Sequence, residues 1–259
     1  MDNPKYSIMR VAGEDRRETD DAIVRELPLT IFLNEKELLT LPCFPSDLDS
    51  LAIGFLFSEG LLKNRDEIQG IIVDDREGVV QVKTSADIEP HSGFLSKQSI
   101  ITPKLGKGTS SYKAADVNGL AKVESQVVIS AHEVFTLVHE FQHRSPIYRA
   151  TGGVHSAALC DTKGILVFAE DIGKHNAIDK VLGHCLLKNI PTDDRIMLVS
   201  GRIPSGILLK VAKRKIPIII SVSASTDLGV RLARDSGITL IGFVRGNRMN
   251  IYANDWRVV

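Results

Sequence analysis

The chain has 259 residues, and 32 Lys plus Arg balance 32 Asp plus Glu, so its formal net charge is zero. That balance argues against a general nucleic-acid or membrane-surface binder, which needs an excess of basic charge. No apolar run approaches the roughly 18 residues of a membrane-crossing helix; the polar start MDNPKYSIMRVAGEDRRETDD shows no apolar signal core, and Cys43, Cys160 and Cys185 form no CxxC, so a reduced, cytoplasmic setting is expected.

The first twenty residues are charged and poor in apolar positions, and read as a frayed arm. ELPLTIFLN and EKELLTLPCF alternate as a hairpin turning at Asn34-Glu35. Pro45-Ser46-Asp47 opens a helix that carries Leu48, Leu51, Ala52, Phe55 and Leu56 and stops at Gly60. Residues 71–85 read as one or two strands around DDREG, and residues 86 to about 120, rich in Ser, Gly, Lys and Pro, as a mobile connection. Within it, residues 96–112 are expected to be a lid or transfer arm, or a plain connector.

Ser130 and Glu133 make a capping box before Val134, Leu137, Val138 and Phe141. SAALCD and GILVFAE are strands around the turn Asp161-Thr162-Lys163-Gly164. Beyond them, helices alternate with the strands RIMLVS, PIIISVSA, ITLIGFV and RMNIYA. Such alternation predicts an α/β fold with a mostly parallel sheet. The division is an α+β domain over 1–112 and a layered domain over 113–259.

The chemistry collects at strand ends. One strand runs into Glu170-Asp171-Ile172-Gly173-Lys174-His175-Asn176, and the next into Ser200-Gly201-Arg202. A third ends at Ser221-Val222-Ser223-Ala224-Ser225-Thr226, and a fourth near Phe243-Val244-Arg245-Gly246-Asn247-Arg248. Parallel strands bring their carboxyl ends to one edge, where open α/β sheets bind ligands. Helix N-termini, close-approach glycines, hydroxyls and the cations Lys174, Arg202, Arg245 and Arg248 suit a phosphate-bearing or nucleotide ligand. His155 in TGGVHSA joins this set with even weight. Asp171 or Asn176 can equally serve only as a helix cap. Asp179 and Lys180 are expected on a solvated helix face.

His139-Glu140-Phe141-Gln142-His143 matches the zinc-hydrolase pattern HExxH. It lies at a helix end before Ser145-Pro146, with no third ligand identifiable, and is read as chance, so neither zinc nor another metal is expected. The deaminase pattern HxE with PCxxC is absent from the sequence.

TGGVHSAALCD, EDIGKHNAIDKVLG, VSGRIPSGILLKVAK, PIIISVSASTDLGVRLA and GITLIGFVRGNRMNIYA follow one another in order, after ELPLTIFLN and PCFPSDLDSLAIGFLFSEGLL. From residue 25 onward the chain resembles the formate dehydrogenase accessory sulfurtransferases of the FdhD/NarQ type. The resemblance implies a cytidine-deaminase-like core without the deaminase zinc, a smaller second domain and a homodimer. It implies a cytoplasmic sulfur carrier that takes persulfide sulfur from a cysteine desulfurase. The sulfur passes to the bis-molybdopterin guanine dinucleotide molybdenum cofactor destined for formate dehydrogenase. Residues 243–248 correspond best to a cofactor-binding loop, and a guanine nucleotide is the natural surrogate ligand.

One departure bears on mechanism. The family's CGxCG element aligns here with Leu105, Gly106, Lys107 and Gly108, without cysteine. Leucine cannot carry a persulfide, because that chemistry needs a thiolate. Cys160 and Cys185 read as core residues, and Cys43 is the weak substitute. The chain therefore reads as a cofactor-binding accessory protein whose sulfur transfer is lost or rerouted. A non-catalytic chaperone for the cofactor or a guanine nucleotide is the alternative, and a zinc hydrolase the remote one.

Overall fold

Period-two alternation, left-handed turn residues and helix caps set the elements. The computed structural model describes residues 3–85 and 122–259. Leu105, Gly106, Lys107 and Gly108, and the expected lid over 96–112, lie outside the described residues.

The first twenty residues correct the expectation of a frayed arm. They form an antiparallel ribbon of β1 (Lys5–Ala12) and β2 (Asp15–Ala22). Its residues are exposed on both faces, so no buried stripe marked it in the sequence. Strands β3 (Leu27–Leu33) and β4 (Lys36–Cys43) turn at Asn34 and Glu35, whose φ values of 47° and 69° give the doubly left-handed turn that matches strand twist. Helix α1 (Leu48–Glu59) ends at Gly60 with φ 84°. Strands β5 (Ile68–Asp74) and β6 (Val79–Thr84) complete a four-stranded sheet in the order β4-β3-β6-β5.

Helix α2 (Ala131–His143) begins with the capping box, in which Ser130 accepts from the Glu133 N–H and Glu133 accepts from the Ser130 N–H. After the short α3 (Pro146–Thr151), β7 (His155–Cys160) and β8 (Ile165–Asp171) form a hairpin. Then come α4 (Lys174–Leu187), β9 (Ile196–Val199), α5 (Ser205–Lys213), β10 (Ile218–Ser221), α6 (Asp227–Ser236), β11 (Thr239–Arg245) and β12 (Arg248–Ala253).

The six-stranded sheet has the order β12-β11-β10-β9-β7-β8. Only β9–β10 and β10–β11 pair in parallel; the other three pairings are antiparallel, so the sheet is mixed rather than mostly parallel. Two reversals cancel at β7: it opposes both β8 and β9, which therefore run the same way. Strands β8, β9, β10 and β11 thus end at one edge, and β7 and β12 begin there.

Apolar side chains of alternate parity feed two cores. On one face, Ala158, Leu198, Ile220 and Ile241 pack with Val134, Leu137, Val138 and Phe141 of α2. On the other, Leu159, Met197, Ile219 and Leu240 pack with α4, α5 and α6, and this core continues through α1 into the four-stranded sheet. Helices α1 and α4 touch backbone to backbone. A Cβ added to Gly54 would lie 1.7 Å from the Asp179 carbonyl oxygen, and one on Gly183 would lie 1.9 Å from that of Ser50. Glycine is what permits this crossing.

Candidate functional site

The corner between β8 and α4 divides into a buried half and an open half. In the buried half, Asp171 and Lys180 pair at 2.8 Å, with both side chains fully buried. Lys180 Nζ also donates to the carbonyls of Phe44 and Glu170, each at 3.0 Å. Asp171 accepts from the N–H of Phe44 (3.1 Å), the N–H of Gly173 (2.9 Å) and the Asn176 amide (2.9 Å). That amide also donates to the Pro42 carbonyl. Buried charges persist only when paired and bonded in this way. Asp171 and Asn176 thus tie the corner to the end of β4. Glu170 is buried too, accepts from the Ser145 hydroxyl, and has its carboxyl pushed up by burial.

The next turn of α4 corrects the expected solvated face. Asp179 and Lys180 are 2% and 1% exposed. Asp179 accepts from Lys210 of α5 at 2.5 and 2.7 Å and from Ser58 of α1 at 2.8 Å. Lys210 gave no signal in the sequence beyond its place on an apolar helix.

The open half faces the shared strand edge. Lys174 crosses to the end of β9 and donates to the Arg202 carbonyl at 2.8 Å. Its aliphatic stem lies over Gly201, where a Cβ would meet Lys174 Cδ at 2.7 Å and His155 at 3.4 Å. The Ser200 hydroxyl accepts from the Ser156 N–H (3.0 Å) and shares a hydrogen bond with His155 Nδ1 at 3.2 Å, whose donor is set by the imidazole tautomer. Burial and then the Lys174 charge hold the His155 pKa down; burial and then Arg202 lower that of Lys174. Among the described residues, no carboxylate pairs with Lys174, Arg202, Arg245 or Arg248. His175 sits deeper. Its Nε2 is buried without a partner among the described residues, and burial, with Lys210 and Lys174 adding, drives its pKa down to about 3.

Most of the hydroxyls expected to meet ligand are turned inward. Ser221 donates to the Gly201 carbonyl (2.8 Å) and accepts from the Ser223 N–H, Ser225 donates to the Ile203 carbonyl, and Thr226 caps α6. They lace the strand ends to one another. The Phe243 N–H donates to the Ser223 carbonyl (3.0 Å), attaching β11 to the same series.

Arg245, Gly246, Asn247 and Arg248 are exposed at the β11–β12 turn. Phe243 before them holds φ at 52° within a bulge, a left-handed value that a phenylalanine adopts only when its surroundings impose it. Val244 points into the core. Lys174 and Arg202 meet beside His155 at the end of β9, two strand spacings from β11 or on the order of 10 Å, and Arg245 and Arg248 lie at the β11–β12 turn on the same edge.

All three cysteines are buried and free. Burial pushes the thiols of Cys43 and Cys185 up to about 12 and raises that of Cys160. His139 and His143 stack at 4.4 Å between ring centroids, and His143 Nδ1 donates to the His139 carbonyl. Glu140 pairs with Arg144 at 2.7 Å. No group of three His, Cys, Asp or Glu placed to hold a metal occurs among the described residues. Nor does any helix among them have the length and apolarity to cross a membrane.

The profile of the FdhD/NarQ family matches residues 24–259. The chain is 41% identical over 261 residues to the sulfur carrier protein FdhD of Bacillus pumilus, covering 99% of each. It is 40% identical to that of Bacillus subtilis, over 97% of this chain and 95% of the relative. A crystal structure from Desulfotalea psychrophila, described as a formate dehydrogenase accessory protein, superposes with a TM-score of 0.83 at 27% identity over the whole of both chains. The chain belongs to the FdhD/NarQ family.

Proposed function

We propose that this chain serves formate dehydrogenase maturation by holding the bis-molybdopterin guanine dinucleotide cofactor through its phosphates, and that none of its own cysteines carries the sulfur. The observation that supports this best is the pair of cationic groups, unpaired among the described residues, on one strand edge. A cofactor with two separated pyrophosphates matches two separated groups. Lys174 and Arg202 supply charge beside His155 at the end of β9, and Arg245 and Arg248 supply it at the β11–β12 turn. The cytidine-deaminase-like reading of the six-stranded layer belongs to the same proposal.

Sulfur carriage needs an accessible thiolate. A thiol near 12 is ionised to about one part in 100,000 at neutral pH. A cysteine desulfurase would have to unfold the protein to reach Cys43, Cys160 or Cys185. In this reading the protein presents and protects the cofactor, and sulfur reaches the cofactor from another protein.

Two measurements test this. GDP affinity should fall about tenfold or more in Lys174→Ala/Arg202→Ala or in Arg245→Ala/Arg248→Ala, because a charge-assisted contact is worth about 1.5–3 kcal/mol. Unchanged affinity in both double variants removes the site. Intact-mass measurement after incubation with a cysteine desulfurase and cysteine should show no added sulfur. A reducible added sulfur on any of the three cysteines overturns the second half of the proposal.

A further inference from the structure

We propose that His139 and His143, on the outer face of α2, form a two-imidazole site for a divalent transition-metal ion of the copper(II) or nickel(II) kind, with water filling its remaining positions. The pair is separate from the strand-edge residues of the cofactor reading, so neither proposal depends on the other. A zinc hydrolase needs three protein ligands and a glutamate free to act as base. HEFQH supplies neither. Among the described residues no third His, Cys, Asp or Glu joins the pair. Glu140 is engaged with Arg144 at 2.7 Å and leans towards the β7–β8 turn, where a Cβ on Gly164 would lie 3.9 Å from its Oε2.

The two histidines by themselves have the arrangement of a chelate. Positions i and i+4 share one face of a helix. The ring centroids are 4.4 Å apart and the planes are tilted by 36°. With metal–nitrogen bonds of about 2.1 Å, two imidazoles bound at a right angle have centroids about 4.6 Å apart, and two at a tetrahedral angle about 5.3 Å. The observed spacing fits the right-angled pair of an octahedral or tetragonal ion better than tetrahedral zinc. The tautomer of one ring is fixed as well. His143 Nδ1 donates to the His139 carbonyl at 2.8 Å, so the neutral ring presents the lone pair of Nε2. A carbonyl on the second ring nitrogen is the usual support of a metal-bound histidine.

The surroundings accept a cation. Both residues are exposed, in the last turn of α2, where the helix dipole places partial negative charge. The neighbouring Arg144 has its charge met by Glu140 and lies over the ring of Phe168. The three thiols that would compete for such an ion are buried. An ion held by both rings ties the final turn of α2 together and binds the folded chain best, so it should raise the thermal midpoint.

The test is calorimetric titration of the full chain, free of any affinity tag, with copper(II), nickel(II) and magnesium chlorides. Copper and nickel should bind at one equivalent, copper more tightly, and magnesium should not bind. The electron spin resonance spectrum of bound copper should carry the splitting of two imidazole nitrogens. His139→Ala and His143→Ala should each weaken nickel binding by at least about tenfold, since even a lost supporting partner costs that much. Both side chains are exposed, so the metal-free variants should keep the wild-type thermal midpoint. Glu140→Gln should leave the affinity unchanged. Absence of binding overturns the proposal. So does binding that survives both histidine variants, since the ion then sits elsewhere, and so does a tenfold loss in Glu140→Gln, which would make the carboxylate a ligand.

Discussion

His175 shows how position outweighs residue type. Its imidazole looked like cleft chemistry in the sequence, yet the ring is sunk beside Lys210 and kept neutral down to a pKa of about 3. The unfolded chain takes up that proton near 6.5, its ordinary value. Stability from this group is therefore complete above 6.5 and is lost as pH falls from 6.5 towards 3. His175→Gln should flatten the acid limb of a urea-midpoint curve across that window, and an unchanged limb would show the ring to be solvated. The Asp171–Lys180 pair makes a second residue-scale prediction. Lys180→Met strands a buried carboxylate and should cost about 3–5 kcal/mol in urea unfolding.

At the scale of elements, the α1–α4 crossing holds the four-stranded sheet on the six-stranded layer. Its contact is backbone on backbone, so no rotamer can relieve an added methyl. Gly54→Ala should destabilise by more than about 4 kcal/mol. Gly70→Ala in β5, where a Cβ meets nothing within 4 Å, should stay within about 0.5 kcal/mol. Chemical denaturation of the two variants side by side measures the contrast. The same crossing explains the misreading of Asp179 and Lys180. They fall off the apolar stripe of Ile178, Val181, Leu182 and Cys185, and an isolated helix would show them to water. Here α4 is covered on two sides, and Lys210, Ser58 and Asp171 supply the partners.

For the whole molecule, the three thiols report on global opening. Each is buried in a core that runs through several elements. A thiol reagent should modify none in the native state and all three once denaturant unfolds the chain, with the rate tracking the unfolding free energy. Rapid modification of Cys43 alone would reveal local opening at the end of β4. Raised thiols also set the alkaline side. Their contribution is full below the unfolded value of 9.0 and is lost as pH rises towards about 12.

The sequence by itself determined the strands from β3 onward, the caps and turns, and the cluster of polar residues at successive strand ends. Those features are written in local spacing and composition, which neighbours in the chain suffice to express. Only the tertiary structure decided which of the polar residues face the edge and which are buried. Ser200, Ser221, Ser225 and Thr226 became lacing, Asp171 a buried ion, Lys174 a half-buried charge and Arg202 an exposed one. The ribbon was invisible for the same reason in reverse, because a strand with no buried face has no alternation to read. Side-chain type fixes what a residue can bond; the partners that reach it, across 127 positions between Phe44 and Asp171, are fixed by the fold.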